Sequence, residues 1–189
     1  MDAYTEELVG ALKRTEFRKG NKTYTYEDGI KFLVDIFTEK KRAGAKVYFI
    51  GNGGSAAIAS HMTADFMKNG GMNTVSLYDN AVTTCMGNDY GYEYVFSKPL
   101  SFLAGAGDML VAISSSGKSQ NIINSIEVAE EKNVDVITLT GFDDNNLARM
   151  SADVSVYVPC HKYGIVESIH NLILQEIVDL IMERDGVSL

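Results

Sequence analysis

Residues Val47–Asp65 read VYFIGNGGSAAIASHMTAD and join a strand, a glycine turn and a helix carrying a histidine and a carboxylate. The run Val47-Tyr48-Phe49-Ile50 is apolar without alternation, the pattern of a parallel strand covered on both faces. Gly51, Gly53 and Gly54 permit a tight turn and close approach of a ligand. The N–H groups that open the next helix are unpaired donors suited to an anion such as phosphate.

Four further apolar segments repeat the theme: Thr74 to Tyr78, Asp108 to Ile113, Asp135 to Leu139 and Val154 to Val158. Helical periodicity runs through Ser119 to Lys132 and Ile165 to Arg184, with Asn133 and Gly186 as stop signals. Two amphipathic helices, about Tyr4 to Thr15 and Tyr26 to Arg42, precede the first strand. This order predicts an α/β fold, a doubly wound parallel five-stranded sheet with helices on both faces, N-terminal helices and a long C-terminal helix. The segments VYFIGNGGS, LVAISSSGKS and VITLTGFDD each begin apolar and end in small polar residues, so one crevice is expected outside the carboxyl ends of the strands.

With 189 residues, 46% of them apolar and 22% charged, the chain reads as one globular domain over residues 1–189. The net charge of −8 argues against a nucleic-acid surface and requires local donors for any anionic substrate. No apolar run reaches membrane-spanning length, and the N-terminus lacks a basic region followed by an apolar block, so the cytoplasm is the expected location. Cys85 and Cys160 lack metal or redox spacing and read as two buried thiols.

The glycine turn also satisfies G-x-G-x-x-A, a dinucleotide fingerprint, with Asp79 as a candidate ribose acid. A second loop favours phosphate instead. Ser114-Ser115-Ser116-Gly117-Lys118-Ser119 lies between a strand and a helix and offers hydroxyls and N–H groups to an anion, with a helix cap as the alternative role. It mimics a P-loop, but Ala112 stands where that motif requires glycine, so ATP and other nucleotide cofactors are not expected. His61 and Asp65, spaced i,i+4, share a helix face as either a functional or a solvated pair. Glu167, His170 and Gln175 interrupt the last helix, either as acid–base groups in the crevice or as a polar seam at a subunit interface. Asn88-Asp89-Tyr90-Gly91-Tyr92 reads as turn, with His161 in another loop.

Together GNGGSAAIASHMTAD, GNDYGYEYVFS, SSSGKS and VESIHNLILQ resemble the sugar isomerase (SIS) domain family over nearly the whole chain, nearest its phosphoheptose isomerase branch. The resemblance implies a doubly wound sheet, a homotetramer with sites between subunits, and a contribution of residues 1–43 to those contacts. It makes Asn52, Gly53, Gly54 and Ser55 sugar contacts, Ser114, Ser115, Ser116 and Ser119 a phosphate cradle, and Asn88, Asp89 and Glu167 further substrate contacts. Family members with this activity bind zinc through a His and a Glu after the glycine turn and a Gln and a His on the last helix. The matching positions are His61, Asp65, Glu167 and Gln175, three of which depart from the pattern, Gln175 standing in place of an imidazole. The implied reaction is aldose–ketose isomerisation of sedoheptulose 7-phosphate through an enediolate, with Asp65 or Glu167 as base and His61 or His170 assisting. Alternatives are a non-catalytic SIS module that binds a phosphosugar or a protein such as a replication initiator, and an isomerase of another sugar phosphate.

Overall fold

The computed structural model describes residues 2–187. Its elements in chain order are α1 (Ala3–Lys13), β1 (Glu16–Lys19), β2 (Lys22–Tyr24), α2 (Tyr26–Ala43), β3 (Lys46–Gly51), α3 (Gly54–Lys68) and β4 (Asn73–Val75). There follow α4 (Asn80–Tyr90), a 3-10 turn (Tyr92–Tyr94), α5 (Ser97–Leu103), β5 (Met109–Ser114), α6 (Gln120–Glu131), β6 (Asp135–Thr140), α7 (Leu147–Met150), β7 (Val154–Tyr157) and α8 (Tyr163–Arg184).

All five expected strands form and lie in the order β7-β6-β5-β3-β4, every neighbouring pair parallel. The sheet nevertheless has seven strands rather than five, because the segment between the first two helices folds into a β1–β2 hairpin that pairs antiparallel with β7. β1 buries only Phe17. Strands of four and three residues carry little apolar pattern, which explains the hairpin's invisibility in the sequence, and the three-residue β2 that forms the sheet edge is too short to recruit another chain.

Alternate residues of β3 and β5 serve the two faces. Val47, Phe49, Met109, Val111 and Ile113 pack with α2, α3 and α8 on one side, while Tyr48, Ile50, Leu110 and Ala112 pack with α5 and α6 on the other. On the first face Phe66 of α3 lies between Phe37 of α2 and Phe49 of β3, ring centroids 4.7 and 5.1 Å away. The chain leaves α6 through Asn133, whose φ of 56° stops the helix as expected. No helix among the described residues is long and apolar enough to cross a membrane.

The direction of winding reverses at β3. From β3 the chain moves outward to β4, then returns across it to form β5 on the opposite side. β3 and β5 are therefore hydrogen-bonded neighbours whose following loops diverge to opposite faces, the topological switch point where open α/β sheets bind ligands. Because Phe66 knits the helical layer to the sheet, Phe66→Ala is expected to lower unfolding free energy by about 3–5 kcal/mol, read from urea denaturation.

Candidate active site

The register pairs Gly51 with Ile113, so the glycine turn and the serine loop leave the sheet side by side. Between them lies a cleft of about 140 Å³, lined by Asn52, Ser55, Ile113, Ser114, Ser115, Ser116, Ser119, Tyr163 and Glu167. The convergence expected of the two loops is thus realised in one cavity.

Three helices begin at this cleft: Ser55 lies in the first turn of α3, Ser119 is the residue before α6 and Tyr163 opens α8. None of the three has a side-chain hydrogen bond capping its first turn. Ser119 therefore does not use its hydroxyl as a cap, the alternative role considered for it. Three helix N-termini direct positive partial charge and N–H donors at one point, the arrangement that favours an anion in a protein whose net charge is −8. A larger concavity of about 510 Å³ lies at the amino end of β6, but Glu130, Asp135 and Asp153 line it and would repel a phosphate.

Glu167 enters the cleft because α8 lies directly against the glycine turn. A Cβ on Gly54 would stand 2.3 Å from Glu167 Oε2, so any side chain there would push the carboxylate out of its present position. Burial holds the Glu167 carboxyl above its ordinary value. Gly53 supports the same turn with a φ of 55°.

Asn52 is oriented by residues that gave no motif. Its amide forms a reciprocal pair with Asn121, each Nδ2 donating to the other's Oδ1 at 2.9 Å, and Tyr92 donates its hydroxyl to Asn52 Oδ1 at 2.9 Å. Both acceptor positions of Asn52 are filled, leaving one N–H to point outward as a donor. Asn121, with Ser125, is a buried polar position among Ile122, Ile126 and Ala129 on the inner face of α6. That break in the apolar stripe was the available signal. Tyr163, at the start of a helix, offered none.

The remaining candidates fall elsewhere. His61, Asp65 and Gln175 meet on the α3–α8 seam: Gln175 Nε2 lies 2.7 Å from Asp65 Oδ2 and 2.9 Å from His61 Nε2, and the latter two atoms are 3.1 Å apart. Eight residues separate Glu167 from Gln175, about 12 Å along a helix, and Glu167 lines the cleft while the other three meet on the seam. Among the described residues no group of three or more His, Cys, Asp or Glu side chains is placed to hold a metal. With Gln175 in place of the family's imidazole, the trio offers one ring nitrogen, one carboxylate and one amide, a weaker donor set for zinc than the family pattern.

His170 does not face the cleft. It is fully buried, with Nε2 3.1 Å from the Thr140 carbonyl, and burial lowers its pKa to about 4. It packs behind the sheet instead of assisting at the surface. Asn88 and Asp89 sit in the last turn of α4, not in a turn, and are outside the cleft lining; Asn88 Nδ2 donates to Asp89 Oδ1 at 2.8 Å. Asp79 caps α4 through the N–H of Val82 at 2.9 Å, which accounts for it without a ribose. His161 lies in a loop 3.3 Å from Asp143, as a loop residue should. Cys160 is buried, whereas Cys85 is exposed on α4.

With this geometry in view, comparison with known proteins decides the family. The SIS domain profile matches residues 18–141. The phosphoheptose isomerase of Sulfurimonas denitrificans is 36% identical over 186 residues, covering 94% of this chain and 93% of that protein. The chain belongs to the SIS domain family. Within it, the chain belongs with the phosphoheptose isomerases. The solved phosphoheptose isomerase of Neisseria gonorrhoeae is 30% identical, covers 96% of both chains and superposes with a TM-score of 0.77. That of Francisella tularensis is 26% identical, covers 96% of this chain and 95% of its own, and gives a TM-score of 0.83.

The buried imidazole gives this SIS chain a stability signature. An unfolded histidine titrates near its ordinary 6.5, and the folded His170 near 4. Between those values the unfolded chain binds the extra proton, so unfolding free energy is expected to fall by about 2–3 kcal/mol as pH drops from 6.5 to 4. His170→Gln should flatten that slope in denaturation curves recorded across the range.

Proposed function

We propose that this chain is a phosphoheptose isomerase that interconverts sedoheptulose 7-phosphate and D-glycero-D-manno-heptose 7-phosphate through an enediolate. The observation that carries the reading is the single cleft shared by Asn52 of the glycine turn and Ser116 of the serine loop. The phosphate is held by the Ser114, Ser115, Ser116 and Ser119 loop at the opening of α6. Ser115 supports this role, because it lines the cleft and its buried hydroxyl has no protein partner. Asn52 then offers its one free N–H to a sugar oxygen.

Glu167 is the carboxylate that lines the cleft, and we assign it the proton transfer between the carbonyl carbon and its hydroxyl-bearing neighbour, taking the proton from one and returning it to the other through the enediolate. Its raised pKa suits a general base, which gains proton affinity as its value approaches the working pH. Binding energy from the remote phosphate positions the reacting carbons, so it appears in kcat as well as KM. Deprotonated Glu167 is the active form, and kcat/KM rises with pH through its titration. No step is routed through zinc, because Gln175 joins His61 and Asp65 by hydrogen bonds and Glu167 lies apart from them.

The protein acts in the cytoplasm as one SIS domain assembled into a homo-oligomer, a tetramer by family likeness, with residues 1–43 contributing contacts. Helix α4 supports assembly: none of its eleven residues is buried, and its last residue Tyr90 and the neighbouring Tyr92 are 47% and 63% exposed. A helix of that length is marginal without a packed face. The cleft's 140 Å³ is also small beside the roughly 300–1,000 Å³ of ligand pockets, as expected of a site completed by a second subunit.

Turnover of sedoheptulose 7-phosphate tests the reading. Glu167→Gln should reduce kcat at least about 100-fold while inorganic phosphate binding persists or tightens. Retained turnover in Glu167→Gln with loss in Asp65→Asn would move the base to Asp65; no turnover by the wild-type chain would leave a binding module. Gln175→His places a second imidazole beside His61 and Asp65, so zinc bound per chain, measured by elemental analysis after zinc dialysis, should rise above the wild-type value.

A further inference from the structure

We infer that Asn146 is a positioning residue for the serine loop, holding it in the shape that aims its hydroxyls at one anion; this rests on reading that loop as the phosphate anchor. Asn146 is 1% exposed and lies in the neighbouring loop, between β6 and α7. Its Nδ2 donates to the carbonyls of Gly141 at 3.3 Å and Asp143 at 2.8 Å, and its Oδ1 accepts from the N–H of Arg149 at 2.9 Å. Both amide hydrogens are therefore committed to the backbone of its own loop, and the side chain acts as a rigid brace.

That brace bears on the serine loop. Gly117 has a φ of 62°, and a Cβ there would lie 1.9 Å from Asn146 Oδ1. The amide thus fills the space that any side chain at 117 would need. Two backbone bonds and one ion pair stitch the loops together around this contact: Gly141 N–H to Ser115 O at 2.9 Å, Ala148 N–H to Gly117 O at 3.0 Å, and Lys118 Nζ to Asp143 Oδ2 at 2.7 Å. They flank Ser116 on both sides.

The energetic consequence follows from preorganisation. A loop whose donors must converge on one phosphate loses affinity when its ordering has to be supplied on binding, or when donors drift by a fraction of an ångström. Asn146 supplies that order without touching the ligand. It is also the N-terminal cap of α7, so its removal threatens the helix as well as the loop.

The test separates these effects with inorganic phosphate as the probe, titrated calorimetrically into wild type, Ser119→Ala, Asn146→Ala and Asn146→Ser. Serine preserves an acceptor for the α7 cap but cannot reach the Gly141 carbonyl. Expected is a Tm for Asn146→Ser close to wild type, phosphate affinity about tenfold weaker, and a parallel rise in KM for the phosphosugar. A purely structural residue would move Tm without moving phosphate affinity in a folded variant. If Ser119→Ala weakens phosphate binding but both Asn146 variants stay within about twofold of wild type, the positioning role is overturned and the anchor stands. If Ser119→Ala changes nothing, the anchor reading fails and takes this inference with it.

Discussion

The structure depends on β3 and β5 lying side by side in parallel register. Pairing of Gly51 with Ile113 forces the two loops that follow these strands to start within a few ångströms of each other. The reversal of winding then sends α3 and α6 to opposite faces, opening a gap between loops that would otherwise be closed by packing. A right-handed crossover and a continuous apolar core are enough to produce this arrangement, and neither requires a ligand. The cleft is a consequence of topology, and the residues at its rim give it chemistry.

Those residues resolve an electrostatic conflict. A chain with a net charge of −8 must hold a phosphate dianion without a guanidinium in the cleft lining. The proposed anchor would do so with partial charges: the openings of three helices and a row of hydroxyls, fixed in direction by the fold. Lys118, the lysine of the serine loop, is turned away onto Asp143, which serves the loop's shape more than its charge. Glu167 in the same cleft is tolerated because burial already raises its proton affinity.

Much of this was legible in the residues. The cores of β3 and β5 are continuous apolar runs with polar loops at their carboxyl ends, so the fold class and the crevice between those loops follow from pattern. What escaped notice had a physical reason. The hairpin of β1 and β2 buries a single phenylalanine among mostly charged and polar residues, leaving no alternation to count. Asn88 and Asp89 looked like turn formers because α4 buries nothing and so carries no helical stripe. His170 differs from Glu167 by three positions, about 60° around the helix, and that rotation decides between cleft and core. Which side each would take depends on where α8 lies against β6, a tertiary fact. The hydrogen-bonded trio of His61, Asp65 and Gln175 likewise needed coordinates, because spacing gives a shared face but not which atom of an amide turns inward.

A crystal structure with sedoheptulose 7-phosphate bound tests the central claim most directly. The account predicts the phosphate seated among Ser115, Ser116 and Ser119 at the start of α6, with a sugar oxygen within hydrogen-bonding distance of Asn52 Nδ2. Phosphate density elsewhere, above all in the concavity at the amino end of β6, with the cleft between the two loops empty, would contradict it.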